Sequence, residues 1–187
     1  GCGNYFILVN GFAERLAEDD LAALSKKVCD RHYGIGADGL ILVLPSEKAD
    51  FRMRILNADG SEAEMCGNGI RCFAGLVHDE GLSDQASFTV ETGAGILVPR
   101  LHFADDRLRG VCVDMGEPIL AADRIPVEGF GSAHVIEQPI TAAGETLSMT
   151  CVSMGNPHCI IFVDDADRVP IEKLGPALES HVRFPKK

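Results

Sequence analysis

Met65-Cys66-Gly67-Asn68-Gly69-Ile70-Arg71-Cys72-Phe73-Ala74-Gly75-Leu76-Val77-His78 sets a glycine-punctuated turn directly against a helix-forming run. Ile70, Cys72, Phe73, Leu76 and Val77 cover most of the circumference of a helix over 70–78, so that helix is expected to be buried on nearly all sides. Its walls must come from the flanking chain, and the flanks read mainly as strands. Upstream, Phe6 to Val9 is a short β-rich run and Leu40 to Leu44 a continuous apolar strand, while Phe51, Met53 and Ile55 alternate with Arg52 and Arg54, which read as a solvated strand face. Asp19 to Asp30 reads as an amphipathic helix behind an acidic first turn, His32 to Asp38 as a Gly-rich loop and Asn57 to Ser61 as a turn. Downstream, strands are expected at Ser87–Glu91, Gly95–Leu101 and Leu108–Asp114. Gly116-Glu117-Pro118 then breaks the pattern and divides the chain into 1–115 and 116–187. Beyond it, strands are expected near Ile125–Val127, Ala133–Ile136, Leu147–Val152 and His158–Val163, with a last helix from Ile171 to about Ser180 behind Pro170. Strands arriving in succession, with few helices, point to an α+β fold.

The 187 residues, 46% of them apolar, suffice for one full core and part of a second. A net charge of −11 argues against a nucleic-acid surface, which needs clustered Lys and Arg. No apolar run approaches the roughly 18 residues needed to cross a membrane. Gly1-Cys2-Gly3-Asn4 lacks an initiator Met and has neither a basic n-region nor a signal-peptide core. Seven cysteines, an odd number without a C-x-x-C pair, read as reduced thiols of a cytoplasmic protein. Zinc is a weak alternative: Cys151, His158 and Cys159 are close in sequence but lack the paired spacing of a tetrahedral site.

Chemistry concentrates at Cys66. A thiol at a helix start feels the partial positive charge of the first N–H groups, which favours thiolate. The same groups can bind a carboxylate and stabilise the charge it gains when its α-proton leaves, and the glycines allow a ligand close to the backbone. Residue types alone leave two readings open, because a buried structural cysteine after a Gly-rich turn fits the same pattern. Cys72, inside the helix, reads as core. Asn4, Asn57 and Asn156 fit turn formers as well as ligand contacts, and His158 fits a satisfied core histidine.

Met65 to Cys72, with Asn57-Ala58-Asp59-Gly60-Ser61-Glu62 before it, resembles the active-site segment of the diaminopimelate epimerase family. Gly1-Cys2-Gly3-Asn4 is similar to that family's N-terminal Gly-x-Gly-Asn, Asp30 to Gly39 to its second signature, and Ser153-Met154-Gly155-Asn156-Pro157-His158-Cys159 to its domain-two signature. Four ordered matches span nearly the whole chain. Proline racemases share the fold and a cysteine pair but usually carry His where this chain has Asn68, and phenazine-biosynthesis-type isomerases lack the thiol.

The resemblance implies two similar lobes, each a curved, mostly antiparallel sheet around a central helix, with the site in the cleft between them. It implies that Cys66 is one of two cysteines flanking the substrate, each serving one stereoisomer as base while the other is acid. The Gly67 and Asn68 N–H groups would hold the reacting carboxylate. Asn4, Asn57 and Asn156 would hydrogen-bond the substrate, the last two mainly its distal amino-acid end, and His158 would help polarise the site and tune the thiols. No metal, pyridoxal phosphate or other cofactor is used by the family, whose members often form homodimers. The expected reaction is epimerisation of LL- to meso-diaminopimelate, in lysine and peptidoglycan-precursor biosynthesis, with a small-molecule substrate and no nucleic-acid or membrane partner. Alternatives are a racemase of another amino acid on this fold and a non-catalytic amino-acid-binding lobe. The family's second cysteine motif and the Glu-Arg pair ahead of it have no counterpart after Cys159, so the second lobe is expected to be truncated here and the fragment alone inactive. Tyr5 stands where the family often has an acidic residue, and Gly39 where some members present a glutamine.

Overall fold

The computed structural model describes residues 3–14 and 16–186. Gly1 and Cys2 of the N-terminal signature, and Lys187, lie outside the described residues. The chain divides into two compact units, Gly1–Met115 and Gly116–Lys187, each with a hydrophobic core of its own.

The first unit runs β1 (Phe6–Asn10), α1 (Leu21–Cys29), β2 (Gly39–Leu44), β3 (Phe51–Asn57), β4 (Glu62–Ala63), α2 (Gly67–Asp79), β5 (Val90–Thr92), β6 (Gly95–Leu97), β7 (Pro99–Ala104) and β8 (Arg107–Val113). One sheet has the order β1-β2-β3-β5-β6, with β4 paired to β3; β7 and β8 form a separate hairpin. β1 is parallel to β2 and β5 to β3, while the other pairs are antiparallel. The two faces of β2 explain its unbroken apolar run. Ile41 and Val43 join Phe51, Met53 and Ile55 of β3 against Ile70, Phe73, Ala74 and Val77 of α2. Leu40 and Leu42 point the other way, to Leu21, Cys29 and Leu56 beside α1. The sheet therefore lies between two helices, and α2 also packs on β7 and β8. A strand covered on both faces cannot alternate apolar with polar residues.

Four sequence expectations change here. The segment from Asp19 starts as a 3-10 turn, Glu18–Asp20, before α1 begins. Gly95–Leu101 is two strands rather than one, because the chain leaves the large sheet at Val98 and enters the β7–β8 hairpin. Cys72 is half-buried and not among the residues of the α2 core. Arg54 does not lie on a solvated face: its side chain is 11% exposed, held by Glu62 at 2.7 Å and by Glu18, which reaches it from the 3-10 turn. Arg52 alone is exposed.

The second unit contains β9 (Gln138–Ala142), β10 (Glu145–Ser153) and β11 (Pro157–Ile161) in antiparallel order β11-β10-β9, followed by α3 (Ile171–Glu179) with Pro170 at its N-cap. β9 was not expected from sequence. It carries Pro139, which is tolerated because β9 is an edge strand of this sheet. Conversely, Ile125–Val127 and Ala133–Ile136 form no strand. Ile125, Val127 and Val135 are buried against Met149 and Cys151 as irregular backbone, with one isolated bridge between Ala121 and His134. Their apolar character comes from core filling, not from ladder pairing. Among the described residues no helix is long and apolar enough to cross a membrane.

Candidate active site

Cys66 is the N-cap of α2. Its backbone is extended (φ −142°, ψ 115°), its carbonyl accepts from the Ile70 N–H at 2.9 Å, and its Sγ accepts from the Gly69 N–H at 3.3 Å. The thiol thus takes the place a Ser or Asp side chain takes in an ordinary cap. Two close approaches fix it there. A Cβ on Gly69 would meet Ile41 Cδ1 at 2.9 Å and Cys66 Cβ at 3.2 Å, so glycine lets the first turn of α2 settle this near β2 and the cap without displacing the buried end of Ile41. A Cβ on Gly93 would meet the Glu64 Cα at 2.8 Å, so glycine there lets the segment leading into Cys66 lie against the loop between β5 and β6. Cys66 is half-buried at the edge of the α2 core. The N–H groups of Gly67 and Asn68 belong to the first turn, where the helix's own carbonyls offer no acceptor. Above Gly67 there is room: a Cβ there would touch only Met115 Cε, at 4.0 Å.

Asn4 and Asn68, 64 residues apart, meet at this helix start. The Asn68 Nδ2 donates to the Asn4 Oδ1 at 2.7 Å, and the Asn4 Nδ2 donates to the Asp38 Oδ2 at 3.4 Å. Asp38 also accepts from the Tyr5 N–H at 3.0 Å and from Arg31 at 2.9 Å. The Tyr5 N–H, then the Asn4 amide and the Arg31 guanidinium, hold its carboxyl below the usual carboxylate range. Arg71 Nη1 donates to the Gly67 carbonyl at 3.0 Å and to the Asn68 Oδ1 at 3.3 Å. Asn57 ends β3 opposite Gly39 and spends its Nδ2 on Ser61 Oγ at 2.9 Å, closing the turn the sequence indicated. Sequence reading assigned no role to Asp38 or Arg71. The signal for Asp38 was its place in the Gly-rich second signature, and for Arg71 its place one turn inside the helix after Gly67.

In the second unit, Asn156 sits in the turn between β10 and β11, after Gly155 at φ +106°, and its carbonyl accepts from the Met154 N–H. His158 is the second residue of β11, opposite Val152. Both line a cavity of about 480 Å³ together with Cys151, Cys159, Leu178 and Phe184. Cys151 and Cys159 are cross-strand neighbours. Their mutual hydrogen bonding, with burial, pushes the Cys151 thiol up, and the same contact holds Cys159 below the ordinary thiol value. Among the described residues no group of three or more His, Cys, Asp or Glu side chains could hold a metal ion.

A family model for diaminopimelate epimerase matches residues 1–121. The chain is 55% identical to the diaminopimelate epimerase of Agathobacter rectalis, a match covering all of this chain and 67% of that protein. It is 54% identical to that of Moorella thermoacetica, with all of this chain and 66% of the relative covered. It therefore spans about two thirds of the length of the curated relatives it matches. Among solved structures it is similar to a hydroxyproline epimerase from Agrobacterium vitis, with a TM-score of 0.60 and 15% identity over 92% of this chain and 50% of that one. It is also similar to a PhzF-family protein from Bacillus anthracis, with a TM-score of 0.59 and 23% identity over 88% of this chain and 52% of that one. At these identities the two structures speak for the fold alone, which is α+β and diaminopimelate-epimerase-like. The family match and the curated relatives go further: this chain belongs to the diaminopimelate epimerase family.

Proposed function

We propose that the protein interconverts LL- and meso-2,6-diaminopimelate without a cofactor, with Cys66 as one of the two acid/base groups at the α-carbon. The observation that carries this reading is the thiol of Cys66 capping α2, with the Gly69 N–H on its sulfur and the first-turn N–H groups of Gly67 and Asn68 beside it. In one direction Cys66, as thiolate, takes the α-proton, and a second thiol on the opposite face of the substrate returns one. The electron pair left on the α-carbon delocalises into the carboxylate, whose growing charge falls on the first-turn N–H groups. In the reverse direction the roles exchange. Asn4, Asn57 and Asn68 are assigned to substrate hydrogen bonds, as is Asn156 of the second unit. His158 is assigned to polarising the site. The opposing thiol is not assigned to a residue of this chain. A cytoplasmic, homodimeric enzyme of lysine and peptidoglycan-precursor biosynthesis is the setting proposed for it.

The test is a substrate panel on the protein expressed from its complete reading frame, without added metal or cofactor. Turnover of diaminopimelate isomers, with none of proline or hydroxyproline, is expected. Turnover of proline in preference to diaminopimelate would overturn the substrate assignment.

A further inference from the structure

The hydrogen bonds at the start of α2 form one line: Asp38 accepts from Asn4, Asn4 accepts from Asn68, and Asn68 accepts from Arg71. Its two ends differ in kind from its middle. An ionised carboxylate can only accept and a guanidinium can only donate, whereas each asparagine amide does both and can be turned over with little change in shape. Between an acceptor-only end and a donor-only end, two amides in series satisfy every bond in a single orientation. The nitrogen of Asn4 must face Asp38 and its oxygen Asn68; the nitrogen of Asn68 must face Asn4 and its oxygen Arg71. A reversed amide would set oxygen against the carboxylate, or nitrogen against the guanidinium.

Both ends are themselves anchored. Asp38 and Tyr5 exchange two bonds, the Asp38 N–H to the Tyr5 carbonyl at 2.8 Å and the Tyr5 N–H to the Asp38 carboxylate at 3.0 Å, and Arg31 takes the other carboxylate oxygen at 2.9 Å. The Ala58 N–H donates to the Asp38 carbonyl at 3.2 Å, which ties this point to the turn after β3. Arg71 is held by the Gly67 carbonyl at 3.0 Å, one residue from Cys66. The carboxyl of Asp38 lies below the usual carboxylate range, so this end stays acceptor-only throughout the neutral range.

We infer that Asp38 and Arg71 are positioning residues that set the polarity of the Asn4–Asn68 amide pair, and so fix which faces of these two side chains are donors at the substrate site. The inference rests on the proposed function for its catalytic consequence but not for the amide order itself. The experiment is a set of near-isosteric and conservative variants in the complete protein, Asp38→Asn, Arg71→Gln and Arg71→Lys, with two readouts. Asp38→Asn and Arg71→Gln replace a one-way end by an amide that can both donate and accept. Each is expected to lower kcat/KM for diaminopimelate about 10- to 100-fold, as misplacement near a reacting centre does, with the melting temperature little changed. Arg71→Lys keeps a donor-only end and is expected to restore most of the loss. The second readout is the side-chain amide NMR signals of Asn4 and Asn68, one set each in the parent and in Arg71→Lys, doubled or exchange-broadened in Asp38→Asn. Single, unshifted amide signals in Asp38→Asn would overturn the inference, as would Arg71→Lys losing as much activity as Arg71→Gln. If the parent protein turns over no amino acid while the amide signals behave as expected, the functional reading fails and the polarity device stands.

Discussion

At Gly69 a single hydrogen atom in place of a methyl group decides where the thiol of Cys66 sits. A Cβ would come 2.9 Å from Ile41 Cδ1 and 3.6 Å from the Cys66 sulfur. Ile41 is fully buried and cannot withdraw without disturbing the α2 core. Gly69→Ala is therefore expected to cost about 1–3 kcal/mol by overpacking, read as a lower urea midpoint at unchanged slope. Because the same methyl group crowds the cap, activity should fall further than stability alone accounts for. Equal midpoints for Gly69→Ala and the parent would mean that the helix start is looser than described. Cys66 itself was legible in the sequence, since a thiol between a turn and a buried helix has a distinctive pattern. Asp38 and Arg71 were not, because their meaning lies in what each can donate or accept at a meeting of three segments far apart in the chain.

At the scale of single elements, β3 shows how far pattern reading reaches. Phe51, Met53 and Ile55 alternate and face α2 as the period of two requires. Two arginines on the opposite face predict a solvated surface, yet Arg54 is largely covered and paired with Glu62 and Glu18. Local alternation cannot report a layer supplied by a 3-10 turn more than 30 residues upstream. The same limit hid β9, whose Pro139 is harmless only on an edge strand, and made strands of Ile125–Val127 and Ala133–Ile136, whose Ile125, Val127 and Val135 fill a core without a ladder. The pairing at Arg54 gives a pH prediction. The Arg54 hydrogen bonds hold Glu62 below the usual carboxylate range. A depressed carboxylate contributes stability that is present above its unfolded value, about 4.3, and is lost as pH falls through the folded value. Arg54→Met is expected to cost about 1–2 kcal/mol at neutral pH, discounted because both glutamates are partly exposed. The gap to the parent should narrow as the urea midpoint is followed from about pH 6 to about pH 3. A gap that stayed constant over this range would show that the ion pair does not carry the difference.

At the scale of the molecule, the two units hold separate cores, one closed on Phe73 and the other on Met149. Phe73 is fully buried on α2 and meets Phe51 edge-on with ring centroids 6.4 Å apart. Phe73→Ala is expected to cost about 3–5 kcal/mol. Hydrogen exchange should show faster opening of β2 and β3 while β10 amides keep their protection; equal loss in both would mean that the cores open together. The strand-rich α+β character was legible from succession of strands, since each short apolar run carries its own signal. The layering of the sheet between α1 and α2 was not, because β2 reads the same whichever helices cover it. The role of Cys66 is read out by proton exchange and inversion at the substrate's α-carbon. The complete protein is incubated with LL-diaminopimelate in D2O, without metal or cofactor, and followed by NMR. Loss of the α-proton signal together with appearance of the meso isomer is predicted, with epimerisation slowed at least about 100-fold in a folded Cys66→Ala variant. Epimerisation by that variant at the parent's rate would exclude Cys66 as one of the two acid/base groups.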